Sequence, residues 1–152
     1  TGTATDPSSA DASAGFTWQW SFNGGPFVTG PNPTSLDIDH ATTGNTIAGI
    51  ATDKDGASSN VVTVPVASAA DLLAILRADV NASVPQDAFR TRLVRQLDYV
   101  RVMLMLGQEG MAAIHLDFFI ARVQQYDRAG MSNADAADFI SQAEQIKDML
   151  GY

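Results

Sequence analysis

The sequence predicts an α+β chain built as two modules: an antiparallel β-sandwich followed by an up-down antiparallel bundle of three to four helices. Three observations carry this. Residues 1–67 are rich in Thr, Ser, Gly, Asn and Pro and hold both tryptophans, whereas residues 68–152 are rich in Ala, Leu, Met, Gln and Arg with Pro85 as their only proline. Apolar residues alternate singly in the first stretch and recur every three to four positions in the second. A length of 152 residues accommodates two small modules, each burying only about 60 % of its unfolded surface, so that docking on each other would help both.

In the first module, residues 1–67, the segment Phe16-Thr17-Trp18-Gln19-Trp20-Ser21-Phe22 alternates four aromatics with three polar residues and so sets all four on one face of a strand. Asn23-Gly24-Gly25-Pro26 breaks it, because Asn and Gly accept positive φ and Pro fixes φ. Ser35 to His40 reads as a strand with Leu36 and Ile38 on one side and Asp37 and Asp39 on the other. Asn45 to Thr52 is a weaker strand, and Asn60 to Val66 is a β-branched one. Thr52-Asp53-Lys54-Asp55-Gly56 joins the last two through an Asp-Gly turn signal. With the aromatics pointing inward, the in-register residues Ile47, Gly49 and Ala51 are small enough to leave them room.

In the second module, residues 68–152, Ser68 followed by Asp71 marks a helix N-terminus ahead of Leu72, Leu73, Ile75, Leu76 and Val80. The next helix is expected from about Pro85 to Leu106, with Leu93, Leu97, Val100 and Leu104 inward and Gly107 as the stop. A third runs from near Glu109 to Ala129, with Ala112, Leu116, Phe119, Ile120 and Val123 inward and Gly130 closing it. The fourth starts at Ser132, turns Ala136, Phe139, Ile140, Ala143, Ile146 and Leu150 inward, and ends at Gly151. Short loops between these helices require antiparallel neighbours. Met111, Ile114 and Phe118 form a second apolar stripe on the third helix, to be covered by the helix after Ser68, by the sandwich or by a partner.

Residues 1–66 resemble the polycystic-kidney-disease (PKD) repeat through Gly2-Thr3-Ala4-Thr5-Asp6-Pro7, Trp20-Ser21-Phe22-Asn23-Gly24-Gly25 and Ala51-Thr52-Asp53-Lys54-Asp55-Gly56. Ser21 and Gly24 replace two aspartates of the family pattern. The resemblance implies an immunoglobulin-like sandwich of a secreted bacterial protein whose first strand would precede Thr1, leaving a sheet edge unpaired. From about Leu93 onward the chain resembles a small C-terminal helical module of large secreted bacterial proteins, called FIMAH. That resemblance is carried by Leu97-Asp98, Leu104 with Gly107, Leu116 to Val123, and Met131-Ser132 leading to Leu150-Gly151. It implies an accessory or anchoring role and no chemistry.

Charge narrows the function classes. Residues 1–67 carry six Asp against Lys54, net −5, and the remainder eleven acids against eight bases, net −3, which gives the chain its −8. Such a surface disfavours nucleic acid and anionic lipid, and Arg90, Arg92, Arg95 and Arg101 read as a charge-balanced helix face beside Asp87 and Asp98. The absence of cysteine removes disulfides and thiolate chemistry. No apolar run reaches the roughly 20 residues that span a bilayer, and no export signal opens the chain, which begins at Thr1 rather than Met.

His40 and His115 fall in different modules, and no nucleophile–base constellation accompanies either. Together with the two resemblances, which imply the location, this makes the expectation a non-catalytic structural and interaction tail of a larger secreted or cell-surface bacterial protein, contacting other domains of its parent or a surface partner without inserting into a membrane. The rival is a carbohydrate- or calcium-binding accessory module of a secreted hydrolase, with Trp18 and Trp20 against ligand and Asp53 and Asp55, two residues apart, offering oxygen to calcium. No other cofactor is expected. Candidate partner contacts on the helical side are Met111, Ile114 and Phe118.

Overall fold

The computed structural model describes residues 1–5, 14–32, 40–125 and 131–152. The chain divides into two compact units, Thr1–Ile38 with Gly44–Val66, and Asp39–Thr43 with Ala67–Tyr152. The short segment ending at Thr43 belongs with the helices, and the Ala70 amide donates to the His40 carbonyl at 3.0 Å. Sequence alone shows no reason to detach those few residues from the strands on either side.

Four strands make up the first unit: β1 (Thr17–Phe22), β2 (Val28–Gly30), β3 (Asn45–Thr52) and β4 (Val62–Val66). They form one antiparallel sheet in the order β2-β1-β3-β4. The aromatic segment is a strand as expected, and it is central because both its edges are paired. Asn23 (φ 50°) and Gly24 (φ 72°) make the turn out of β1, closed by Gly25 N–H donating to the Phe22 carbonyl at 2.9 Å. Two successive positive φ angles give the hairpin turn whose twist suits antiparallel strands, and Asn and Gly are the residues that accept them. Asn23 also reaches across the sheet, its amide donating to the Thr46 carbonyl and its Oδ1 accepting from Thr46 N–H at 2.8 Å. β2 was not anticipated, since three residues are too few to show an alternating pattern.

The β1–β3 register pairs Trp18 with Ala51, Trp20 with Gly49 and Phe22 with Ile47. Small residues therefore do sit opposite large ones, as lateral partners within one sheet. The described strands supply a single layer; the stretch 33–39, where a further strand was expected, lies outside the described residues. Among the described residues of this unit only Ser21, Asn45 and Ala51 are buried, and Phe16, Trp18, Trp20 and Phe22 are half-buried. The expectation of an aromatic interior is corrected accordingly: one sheet face carries these rings, and cover over them is partial.

The second unit holds α1 (Ala69–Ser83), α2 (Asp87–Met105), α3 (Glu109–Gln125) and α4 (Asn133–Met149). α1 is capped as the sequence predicted: Ser68 Oγ accepts from Asp71 N–H while the Asp71 carboxylate accepts from Ser68 N–H at 2.9 Å. Pro85 falls before α2, whose N-cap is Gln86 without a side-chain hydrogen bond. α2 ends in a Schellman motif, with Gly107 (φ 66°) donating to Leu104 and Gln108 to Met103. α4 ends the same way through Gly151 (φ 80°) and Tyr152. The expected end of the third helix at Ala129 and Gly130 lies outside the described residues.

The helices pack in a closed cycle, α1 on α2 and α4, and α3 on α2 and α4. Leu73, Leu76 and Val80 of α1 meet Leu93, Leu97, Val100 and Leu104 of α2, Leu116, Phe119 and Val123 of α3, and Phe139, Ala143 and Ile146 of α4 in one buried cluster. The 3.6-residue period accounts for this assignment, because it carries each of these positions to the same side of its helix. Lys147 joins α4 to α3 by donating to Asp117 at 2.6 Å, and that hydrogen bond raises the ammonium pKa above its ordinary value against the opposing effect of burial.

Candidate functional site

The most distinctive surface of the helical unit lies where α2 and α3 run side by side, joined by only Leu106 to Gln108. Met111, Ile114 and Phe118, the stripe singled out in the sequence, are 46, 44 and 55 % exposed. α1 does not cover them, since it packs on α2 and α4 instead. The physical reason is the cyclic order of the helices: the core side of α3 is filled by Leu116, Phe119 and Val123, and the stripe is turned away from it.

His115 links this stripe to α2. Gln96, buried, directs its Nε2 to His115 Nδ1 at 2.8 Å and to the His115 carbonyl at 3.1 Å. Two acceptors on one amide nitrogen fix the side chain's orientation and leave His115 Nδ1 accepting. The imidazole stacks on Tyr99 at 5.5 Å and 23°, and meets Phe118 edge-on at 6.1 Å. The result is an aromatic ladder, Tyr99–His115–Phe118, across the α2–α3 seam. Nothing local in the sequence announces the cross-helix partners of His115.

One end of the ladder is basic. Arg92, Arg95 and Arg122 line, with Gln96 and Tyr99, a cavity of about 330 Å³. All three arginines are exposed, and none has a carboxylate partner among the described residues, whereas Lys54, Arg77, Arg90 and Lys147 each pair with an aspartate. The expectation of a charge-balanced face holds for Arg90, which pairs with Asp87; Asp98 pairs with Arg77 instead, and Arg92, Arg95 and Arg101 have no carboxylate partner among the described residues. Across the seam Arg92 and Arg95 share their cavity with Arg122, a juxtaposition that a one-helix reading cannot see.

The sheet unit has its own concavity, about 640 Å³, floored by Phe16, Trp18, Trp20 and Gly49 and rimmed by polar residues including Asp53 and Asn60. Trp18 and Trp20 lie nearly parallel, 5.7 Å apart and 10° from coplanar. Gly2 lies against the Trp18 ring, leaving no room for a Cβ, and is pinned there by paired hydrogen bonds with Asn32 at 3.0 and 2.8 Å. Trp20 Nε1 donates to the Pro31 carbonyl at 3.0 Å, so its polar edge is already committed.

The calcium candidates serve the turn. Asp53 Oδ1 accepts from Asp55 N–H at 2.9 Å and Ala57 N–H at 2.8 Å, which folds the loop, and the Asp55 carboxylate accepts from Lys54 at 2.7 Å. Among the described residues no group of three or more His, Asp or Glu side chains converges. His40 and His115 lie in the same helical unit by contact, though at different places in it: the His40 carbonyl meets α1, while the His115 ring meets α2. Among the described residues no helix is long and apolar enough to cross a membrane. No family model, curated protein or solved structure matches the chain.

Proposed function

We propose that this chain is a non-catalytic structural and interaction tail of a larger secreted or cell-surface bacterial protein, in which a partial immunoglobulin-like sandwich spaces and an up-down helical bundle docks. One observation carries the docking role: Met111, Ile114 and Phe118 stay exposed on a helical unit whose core is complete without them. Apolar residues grouped on one face of a folded unit are the usual mark of a contact surface. The spacing role and the location rest on the resemblance of residues 1–66 to PKD repeats and of the region from about Leu93 to the FIMAH module.

A photo-crosslinking amino acid at position 118, compared with one at exposed Ser141 on α4, tests the reading in the parent organism. A defined partner identified from position 118 and not from 141 is the expected result. Equal labelling from both positions, or none from either, overturns it.

A second reading has its own observation. The near-parallel Trp18 and Trp20 rings on the floor of a polar-rimmed groove fit the stacking of a sugar ring, as in a carbohydrate-binding accessory module. Titration with soluble polysaccharides, and separately with calcium, should then shift tryptophan emission or the melting temperature. No movement in either quantity removes this reading.

A further inference from the structure

We infer that the α2–α3 face is the docking site for an acidic amphipathic peptide segment, whose apolar side chains cover Tyr99, Ile114 and Phe118 and whose carboxylate is held by Arg92, Arg95 and Arg122. The inference deepens the interaction reading above and rests on it.

Charge complementarity selects the occupant. The chain as a whole is acidic, with 17 acids against 9 bases, yet three arginines without carboxylate partners among the described residues gather around one small cavity. Like charges brought together with no counter-charge are costly, and the cost falls when an anion arrives. Guanidinium groups offer planar paired donors that match a carboxylate, and Gln96 and Tyr99 complete a polar wall beside them.

The spacing selects the form. Arg95 stands four residues before Tyr99 on α2, and Arg122 four residues after Phe118 on α3, so both helices put a cation one turn beyond an aromatic and at the same end of the seam. Four residues of helix rise about 6 Å. An occupant therefore needs a carboxylate roughly one helical turn from its apolar anchors, the pattern of an amphipathic helix laid into a groove. A polyphosphate such as nucleic acid fits poorly, because it offers nothing apolar to Ile114 and Phe118 and the rest of the surface repels it. The imidazole of His115, held by Gln96 and in ring contact with both Tyr99 and Phe118, fixes the two aromatics of the face relative to each other before any partner arrives.

The test is panning of a peptide library displayed on phage against the whole chain, followed by anisotropy titration of the enriched peptides. Enrichment of Asp or Glu about one turn from large apolar residues is expected, with binding at least tenfold weaker for Arg122→Glu and for Phe118→Ser, both checked for folding by circular dichroism. Changing the peptide's acid to Lys should restore affinity for Arg122→Glu. Enriched peptides without acidic preference, or binding indifferent to both substitutions, overturn the inference. So does a concentration-dependent dimer in sedimentation that Phe118→Ser dissociates, since a second copy would then own the face. If position 118 crosslinks a partner while acidic peptides do not bind, the inference falls and the interaction reading stands.

Discussion

Gly49 of β3 pairs with Trp20 of β1, and a Cβ on residue 49 would stand 2.7 Å from the indole ring. That is closer than side chains tolerate, so the absence of a side chain at position 49 sets where the ring lies. Gly49→Val should displace Trp20 and destabilise the sheet unit by about 1–3 kcal/mol, the usual cost of forcing extra volume into a packed contact. A lower melting temperature together with a red-shifted tryptophan emission is the expected outcome; unchanged emission would show the ring to be placed by something else.

Ser68 is fully buried and closes the first turn of α1 by exchanging hydrogen bonds with Asp71. Ser68→Ala removes the acceptor for one backbone amide of that turn and should cost about 1 kcal/mol. The check is the urea midpoint, which should fall with no change in the slope of the transition.

Phe118 and Phe119 are sequence neighbours with opposite roles, the first 55 % exposed and the second wholly buried. Phe119→Ala should cost roughly 3–5 kcal/mol, since it empties the space of one of the largest fully buried side chains. Phe118→Ser should stay within about 0.5 kcal/mol, the range of surface substitutions. Denaturant titration of the two variants decides this, and similar losses would mean that Phe118 is covered in solution.

The raised pKa of Lys147 has a definite consequence for stability. Its hydrogen bond to Asp117 favours the ammonium in the folded chain, so the contribution is complete below the ordinary lysine value of 10.5 and is lost as pH climbs through the higher folded value. With Asp117 more than half exposed, the pair is worth about 1 kcal/mol or less. Lys147→Met should be less stable than the parent at pH 7 and 9, and the gap should close in alkali; urea midpoints across that range measure it.

The helical core was legible at the level of single residues. Leu93, Leu97, Val100, Leu104, Leu116, Phe119 and Ile146 are buried where the spacing puts them, because helical geometry is local and repeats regularly. The same holds for Ser68, Gly107 and Gly151, whose capping roles depend on atoms within four residues. The sheet was less legible. β2 is too short to carry a pattern, and the alternation of Phe16, Trp18, Trp20 and Phe22 gave their common face without saying how much would cover it. Cover comes from segments distant in sequence, such as Gly2 against Trp18.

By itself, then, the order of residues determined the four helical stretches and three of the four described strands, which side of each helix faces inward, and the caps at Ser68, Gly107 and Gly151, since these follow from contacts a few residues apart. Only the tertiary structure decided that Arg92, Arg95 and Arg122 line one cavity, that Gln96 grips His115, and that α1 lies too far round the cycle to shelter Met111, Ile114 and Phe118. Those relationships depend on which helix neighbours which, a choice made by the packing of the whole core, and a periodicity read along one helix contains no information about the helix beside it.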